Sequence, residues 1–121
     1  YLKAARVRTQ IQQAFRKIFT AVDLLVAPTY ISLPERIDQN FDVQDDALKK
    51  RLPKQKGLIA GLIPASNLCG LPGLTVPCGF VNGLPVGLQF VGPAFSENML
   101  LQFGREFQQR TGFHQQHPPG L

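Results

Sequence analysis

The sequence contains few cysteines and no long apolar run. With only Cys69 and Cys78, it cannot carry the disulfide framework of a small secreted domain. No uninterrupted apolar stretch approaches the roughly 20 residues that cross a membrane, and we find no signal peptide. These absences predict a cytoplasmic protein that does not enter a membrane.

Hydroxyl nucleophiles are also scarce. The chain has three serines, Ser32, Ser66 and Ser96, and none lies in a glycine-rich nucleophile setting. A reactive serine needs a base within hydrogen-bond reach and an oxyanion site of converging N–H donors. Ser96 is better explained as a helix N-cap. We therefore predict no catalytic residue in this chain and no activity for the chain alone.

The cysteines and histidines do not form a metal-binding pattern. Cys69, Cys78, His114 and His117 give C-x8-C and H-x2-H, and both spacings depart from those of structural zinc sites. We interpret the cysteines as small buried thiols and the histidines as tail residues. These spacings predict no metal site.

Composition and charge indicate one globular unit. The chain has 121 residues, 44% hydrophobic and 17% charged, which is enough for one core. Its net charge of +5 is divided into a basic block (1–22), an acidic block (23–48) and a second basic block (49–56). Opposite blocks can neutralise each other, and aromatic residues do not alternate with the basic ones. We therefore expect no nucleic-acid binding, although the basic face of the first helix leaves a nucleic-acid-binding module as a weaker alternative.

The periodicity of apolar residues divides the chain into helices and strands. Asn82-Gly83 is a strong hairpin signal, since both residues tolerate positive φ. Ser96 and Gly112 are suited to begin and end the last helix. The predicted elements are a helix at 2–22, a strand at 23–27, a loop at 29–46, a helix within 54–66 ending near Pro64, strands at 74–78 and 86–91, a helix between Ser96 and Gly112, and an extended tail at 113–121.

This order of elements predicts the fold class. Helix, strand, helix, strand, strand, helix indicates an α/β fold in which helices cover a mixed β-sheet, with residues 1–121 forming one segment. The run 23–27 lacks alternation and fits a strand buried on both faces, as in a parallel sheet. The hairpin strands should be antiparallel to each other.

Apart from Asn82 in the hairpin turn, two amide side chains lie within the otherwise apolar block 67–92. They are Asn67 and Gln89. A buried amide must be hydrogen-bonded, so each could fix the position of a loop or line a substrate pocket. These two residues are the only candidates for substrate binding that the sequence offers.

Four short motifs in this order resemble the C-terminal part of the amidase signature family. The first motif is Tyr1-Leu2-Lys3-Ala4 with Val7-Arg8-Thr9, and the second is the strand Val22-Asp23-Leu24-Leu25-Val26-Ala27-Pro28-Thr29. The third is the block 67–92, which contains Asn-Leu-Cys-Gly-Leu-Pro-Gly and Gly-Leu-Pro-Val-Gly-Leu-Gln. The fourth consists of Thr111, Phe113, His114 and Pro118.

The resemblance implies an α/β fold, hydrolysis of amide C–N bonds, and neither cofactor nor metal. Members of this family are several times longer, and their catalytic Ser–cis-Ser–Lys lies upstream of these motifs. We therefore expect a C-terminal segment that supplies sheet core and pocket wall, and the helical start without Met agrees with this. Its expected partner is the remainder of the amidase chain, or a second copy bound through an exposed sheet face. A non-catalytic interaction or scaffold domain remains the alternative.

The resemblance leaves the branch of the family open. The glutamyl-tRNA(Gln) amidotransferase branch releases ammonia from glutamine within a multi-subunit complex. That branch usually has an acidic residue about seven positions before the Asn-Leu-x-Gly motif, where it helps to hold the glutamine amine. Residues 57–63 contain no acid, which favours a general amidase.

Overall fold

The computed structural model describes residues 1–30, 33 and 62–117. The first helix, α1 (Leu2–Ile18), ends four residues before the predicted end at 22. At its end the N–H and the hydroxyl of Thr20 both donate to the carbonyl of Lys17, at 3.3 and 2.7 Å, which closes a tighter turn. Only Phe15 of this helix is buried. The apolar stripe of α1 is therefore mostly open in the described part of the chain.

A short helix follows the undescribed segment. Helix α2 (Ile63–Cys69) has Pro64 in its first turn and ends at Gly70, whose φ is 68°. The predicted helix end near Pro64 is wrong, because Pro64 lies at the start of this helix. The N–H groups of a first helical turn have no partner within the helix, so a proline, which has no N–H, is well tolerated there. The rest of that predicted helix, 54–61, and most of the loop at 29–46 lie outside the described residues.

The described strands form an antiparallel sheet in the order β1-β3-β2. The strands are β1 (Leu25–Pro28), β2 (Gly73–Val81) and β3 (Leu84–Val91). The hairpin prediction is confirmed: Asn82 and Gly83 join β2 to β3 with φ of 52° and 75°. Both strands are longer than predicted, and the register shifts between Pro77 and Gly79, so that Cys78 lies in a bulge.

The environment of strand β1 differs from the one that the sequence predicted. It pairs antiparallel with β3, with Val26 opposite Phe90, and Val26 is 53% exposed. The expectation of a parallel strand buried on both faces is therefore wrong for the described sheet. A run of four residues is too short for its periodicity to distinguish these environments.

The last helix covers one face of the sheet. Helix α3 (Glu97–Thr111) starts after Ser96 and stops at Gly112, with φ of 66°, as predicted. Its core contacts centre on Leu100, Val76 and Phe90, each at most 5% exposed. After Gly112, Phe113–Gln115 forms a 3-10 turn, so this part of the tail is not extended.

Glycine lets α3 approach the sheet closely. A Cβ at Gly104 would lie 2.5 Å from Cδ2 of Leu74. The ring of Phe107 meets Phe90 edge-on at 6.0 Å between centroids, which closes the core beside that contact. Each helix in the described part of the chain is too short or too polar to traverse a bilayer.

Candidate functional site

The pleat of the sheet separates an apolar face from a polar face. Leu74, Val76, Leu88 and Phe90 contribute to the core beneath α3. Side chains alternate along a strand, so Thr75 and Gln89 point to the opposite face. A Cβ built on Gly87 would lie 2.8 Å from Thr29 Oγ1 and 3.1 Å from Thr75 Cγ2, so these side chains share that face. We call Thr29, Thr75, Gly87 and Gln89 the polar face.

Two oxygens of the polar face are buried and have no hydrogen-bond partner within the described ranges 1–30, 33 and 62–117. They are Oε1 of Gln89 and Oγ1 of Thr29. Gln89 is only 7% exposed, so its amide is buried, but this oxygen lacks the hydrogen bond that a buried amide needs within the described part of the chain. The backbone of Thr29 is well held, since its N–H donates to the carbonyl of Gly87 at 2.9 Å. Each unpaired oxygen costs about 1–3 kcal/mol of folding free energy.

The second predicted pocket residue lies in a different element. Asn67 is exposed on α2, and its backbone carbonyl accepts from the N–H of Gly70 at 3.3 Å. The amide of Gln89 lies instead on β3, within the sheet, where its Nε2 is 3.4 Å from a Cβ built on Gly73. Of the two candidates, only Gln89 is both buried and incompletely paired.

The serine hydroxyls that the structure describes are engaged with nearby backbone. Ser66 is 2% exposed, and its Oγ donates to the carbonyl of Ile63 at 3.0 Å. Ser96 Oγ donates to the carbonyl of Pro93 at 2.7 Å, and it accepts no capping hydrogen bond from the N–H groups of the helix it precedes. Ser32 lies outside the described residues. The hydroxyls of Ser66 and Ser96 therefore stabilise local turns in this conformation.

The cysteines and histidines are dispersed. Cys69 is buried, Cys78 is half-buried, and both are free thiols. His114 and His117 are exposed beyond α3. Within residues 1–30, 33 and 62–117, no three side chains of the His, Cys, Asp and Glu types form a group that could hold a metal.

An open apolar groove runs between β1 and α3. Its volume is about 550 Å³, and its apolar walls are Leu24, Val26, Phe90, Phe103 and Phe107. Phe103, a large apolar residue of α3, is 45% exposed here. Glu106 and Arg110 at the rim form an exposed ion pair at 3.3 Å. The groove is suited to a further apolar segment rather than to a charged ligand.

Sequence reasoning missed Thr29 and this groove. The sequence offered one signal for the polar face: Gly87 interrupts β3, and a glycine inside a strand often marks a close approach of another group. Nothing in the sequence indicated that the approaching group is Thr29, from beyond the end of β1. The groove depends on how α3 crosses the sheet, which periodicity does not determine.

The chain is similar to known amidases along its length. The family model described as Amidase matches residues 1–101. The A subunit of glutamyl-tRNA(Gln) amidotransferase from Desulforudis audaxviator is 44% identical over 119 residues, which cover 98% of this chain and 22% of that protein. The chain thus spans about a fifth of the length of such relatives.

Solved structures share the fold. The A subunit of glutamyl-tRNA(Gln) amidotransferase from Thermotoga maritima matches with a TM-score of 0.64 at 26% identity, covering 90% of this chain and 22% of that one. The peptide amidase of Stenotrophomonas maltophilia matches with a TM-score of 0.64 at 29% identity, covering 95% and 21%. The predicted α/β fold class is confirmed by these matches.

Proposed function

This chain belongs to the amidase family, and on that basis we propose that it forms part of an enzyme that acts on amide C–N bonds. The observation that carries the proposal is the match at 44% identity over 98% of the chain to an amidotransferase from D. audaxviator. The family model covers 101 of the 121 residues in agreement. This similarity favours an enzymatic role over the scaffold and nucleic-acid-binding alternatives.

Within that enzyme, the chain supplies sheet core and pocket wall, whereas the catalytic Ser–cis-Ser–Lys belongs to other sequence. The hydroxyls of Ser66 and Ser96 support this division of roles, because both already donate to backbone carbonyls. The remainder of the amidase polypeptide is the expected partner. The chain by itself is then inactive.

The relatives favour the amidotransferase branch. The D. audaxviator amidotransferase sequence is 44% identical to this chain. Among the solved structures the order is reversed by a small margin, with 26% identity for the T. maritima amidotransferase and 29% for the peptide amidase. The missing acid in residues 57–63 favours the opposite assignment. We give greater weight to similarity over the whole chain than to one position, and propose glutamine as the amide donor.

Gln89 is our candidate for a pocket residue, and Asn67 ranks below it. A carboxamide offers both a donor and an acceptor, and the acceptor of Gln89 has no partner among the residues that the structure describes. An N–H group of the substrate would satisfy it after a change in the side-chain torsions. Asn67 is exposed on α2 and already accessible to water.

A chimeric enzyme tests the proposal. The 119 matched residues of the D. audaxviator amidotransferase are replaced by this chain, and ammonia release is measured with glutamine and with a peptide amide. We expect the chimera to release ammonia, with glutamine preferred, and the isolated chain to release none. Gln89→Leu in the chimera should raise KM about tenfold, the equivalent of one hydrogen bond, and Asn67→Leu should change it less.

Two results would contradict this function. One is a chimera whose circular dichroism and melting midpoint match those of the parent enzyme but which releases no ammonia. The other is amide turnover by the isolated chain that disappears in Ser66→Ala. A preference for the peptide amide over glutamine would instead restore the general-amidase assignment.

A further inference from the structure

We propose that Asn82 is a site of spontaneous deamidation and that its isoaspartyl product opens the hairpin between β2 and β3. The modification converts the side-chain carboxamide of Asn82 into a carboxylate, and its only co-reactant is water. This inference goes beyond the proposed function and does not depend on it, because it follows from the chemistry and geometry of one Asn-Gly turn. It makes the hairpin a part of the protein that changes chemically with time.

The backbone nitrogen of Gly83 is the nucleophile in this reaction. It attacks Cγ of Asn82, and the side chain of the residue that carries the nitrogen controls how closely the two atoms approach. Glycine has no Cβ, so no side chain obstructs the approach. In a two-residue hairpin the closing hydrogen bonds join the flanking residues, here Val81 and Leu84. The N–H of Gly83 therefore lies outside the ladder.

The conformation of the turn allows the attack without separating the strands. Asn82 and Gly83 are both exposed, with φ of 52° and 75°, as in a type I′ turn. A type II′ turn has the same length and also places its first central residue at positive φ, so the two types differ mainly in the orientation of the peptide plane between the central residues. Rotation of that plane brings the nitrogen of Gly83 toward Cγ of Asn82.

The reaction has two steps. In the first, a bond forms between the nitrogen of Gly83 and Cγ of Asn82, and the bond from Cγ to Nδ2 breaks. The proton of the Gly83 amide passes through solvent to the departing nitrogen, so ammonia leaves and a cyclic imide remains. In the second step, water adds to one of the two imide carbonyls and opens the ring. Attack at Cγ gives aspartate, and attack at the backbone carbonyl gives isoaspartate, with no change of oxidation state in either case.

The two products differ in the length of the main chain. Aspartate keeps the normal backbone, and Asp-Gly suits a type I′ turn as Asn-Gly does. Isoaspartate adds one methylene to the main chain, which no longer fits the two-residue turn that sets Val81 opposite Leu84. Loss of this register toward Gly79 would also disturb the packing of β2 on the 3-10 turn, since a Cβ at Gly79 would lie 3.6 Å from the ring of Phe113.

Two further asparagines among the described residues serve as matched controls. Asn67 in α2 and Asn98 in α3 are exposed, as Asn82 is. Leu68 and Met99 follow them, and the side chain of each crowds the backbone nitrogen that would attack. A helical backbone also resists the rotation of the peptide plane that ring closure requires. Exposure is therefore shared by the three sites, whereas the glycine and the turn are specific to Asn82.

Timed incubation followed by peptide mapping tests the site. This chain, alone and within the chimera described above, is incubated in mildly alkaline buffer, and mass spectrometry measures the deamidated fraction at each asparagine. In both proteins Asn82 should react at least about tenfold faster than Asn67 and Asn98, because only its successor lacks a Cβ. An isoaspartyl methyltransferase should label the incubated protein at residue 82. A smaller ratio in either protein, or a product that is aspartate alone, would overturn the inference.

Hydrogen exchange tests the opening of the hairpin. Asn82→Gly is the control, since Gly-Gly suits the same turn and cannot deamidate. After incubation of the chimera, the amide of Leu84 should exchange at least about tenfold faster in the isoaspartyl fraction than in Asn82→Gly, while the amide of Leu100 in the core exchanges equally in both. Equal exchange of Leu84 would show that isoaspartate leaves the hairpin closed and would overturn that part of the inference. Neither readout uses ammonia release from glutamine, so this inference and the proposed function fail separately.

Discussion

Replacing Thr29 by valine should make the isolated chain more stable. Valine has nearly the shape of threonine, so the substitution fills the same space with a methyl group. It removes a buried oxygen that has no hydrogen-bond partner among the described residues. Removing such an oxygen recovers about 1–3 kcal/mol of unfolding free energy. For a chain of 121 residues, each kcal/mol raises the melting midpoint by about 4 °C, so the expected rise is about 4–12 °C.

Thr75 provides the control for this experiment. It is also a threonine on the polar face, but it is exposed, so its hydroxyl can bond to water. Thr75→Val should change the free energy of unfolding by no more than about 0.5 kcal/mol. Urea titrations with a common m-value would give both differences directly. A Thr29→Val protein that is less stable than the parent, or one that matches Thr75→Val, would refute the reasoning.

The remaining predictions concern activity, packing and metal. The isolated chain should release no ammonia from glutamine above the buffer rate, because a base and an oxyanion site each contribute about 10²-fold or more; an ammonia assay checks this. Leu100→Ala should lower the free energy of unfolding by about 2–5 kcal/mol, because Leu100 is 2% exposed. Leu101 is 60% exposed, so Leu101→Ala should change this free energy little. Paired urea titrations would show the difference, and equal losses would contradict the core assignment. EDTA should leave the melting midpoint unchanged, and a large drop with one equivalent of zinc by elemental analysis would show that a metal site was missed.

Local features of the structure could be predicted because they depend on short sequences. Asn82-Gly83 forms the hairpin turn because both residues adopt positive φ, and Gly112 ends α3 for the same conformational reason. Pro64 was misinterpreted because proline both ends helices and occupies their first turn, and the sequence around it did not separate these cases. Such signals act over a few residues, within the reach of sequence reasoning.

Features of the candidate site depend on distant contacts. The burial of Gln89 was expected from its apolar neighbours, but its unpaired oxygen reflects what lies across the sheet. The exposure of Val26 and Phe103 reflects the short β1 and the crossing of α3. Apolar periodicity indicates which residues avoid water, but it does not say which polypeptide segment covers them.

The two faces of the sheet support the same functional conclusion by different physical arguments. On the α3 side, apolar side chains around the groove remain in water, and covering them gains about 25 cal/mol for each Å². On the opposite side, Thr29 and Gln89 carry buried oxygens that receive no hydrogen bond from the part of the chain that the structure describes. A self-contained domain would be expected to resolve both costs internally, since its net stability is only about 5–15 kcal/mol. Both unresolved costs in the described part of the chain agree with our proposal that the rest of an amidase packs against this sheet.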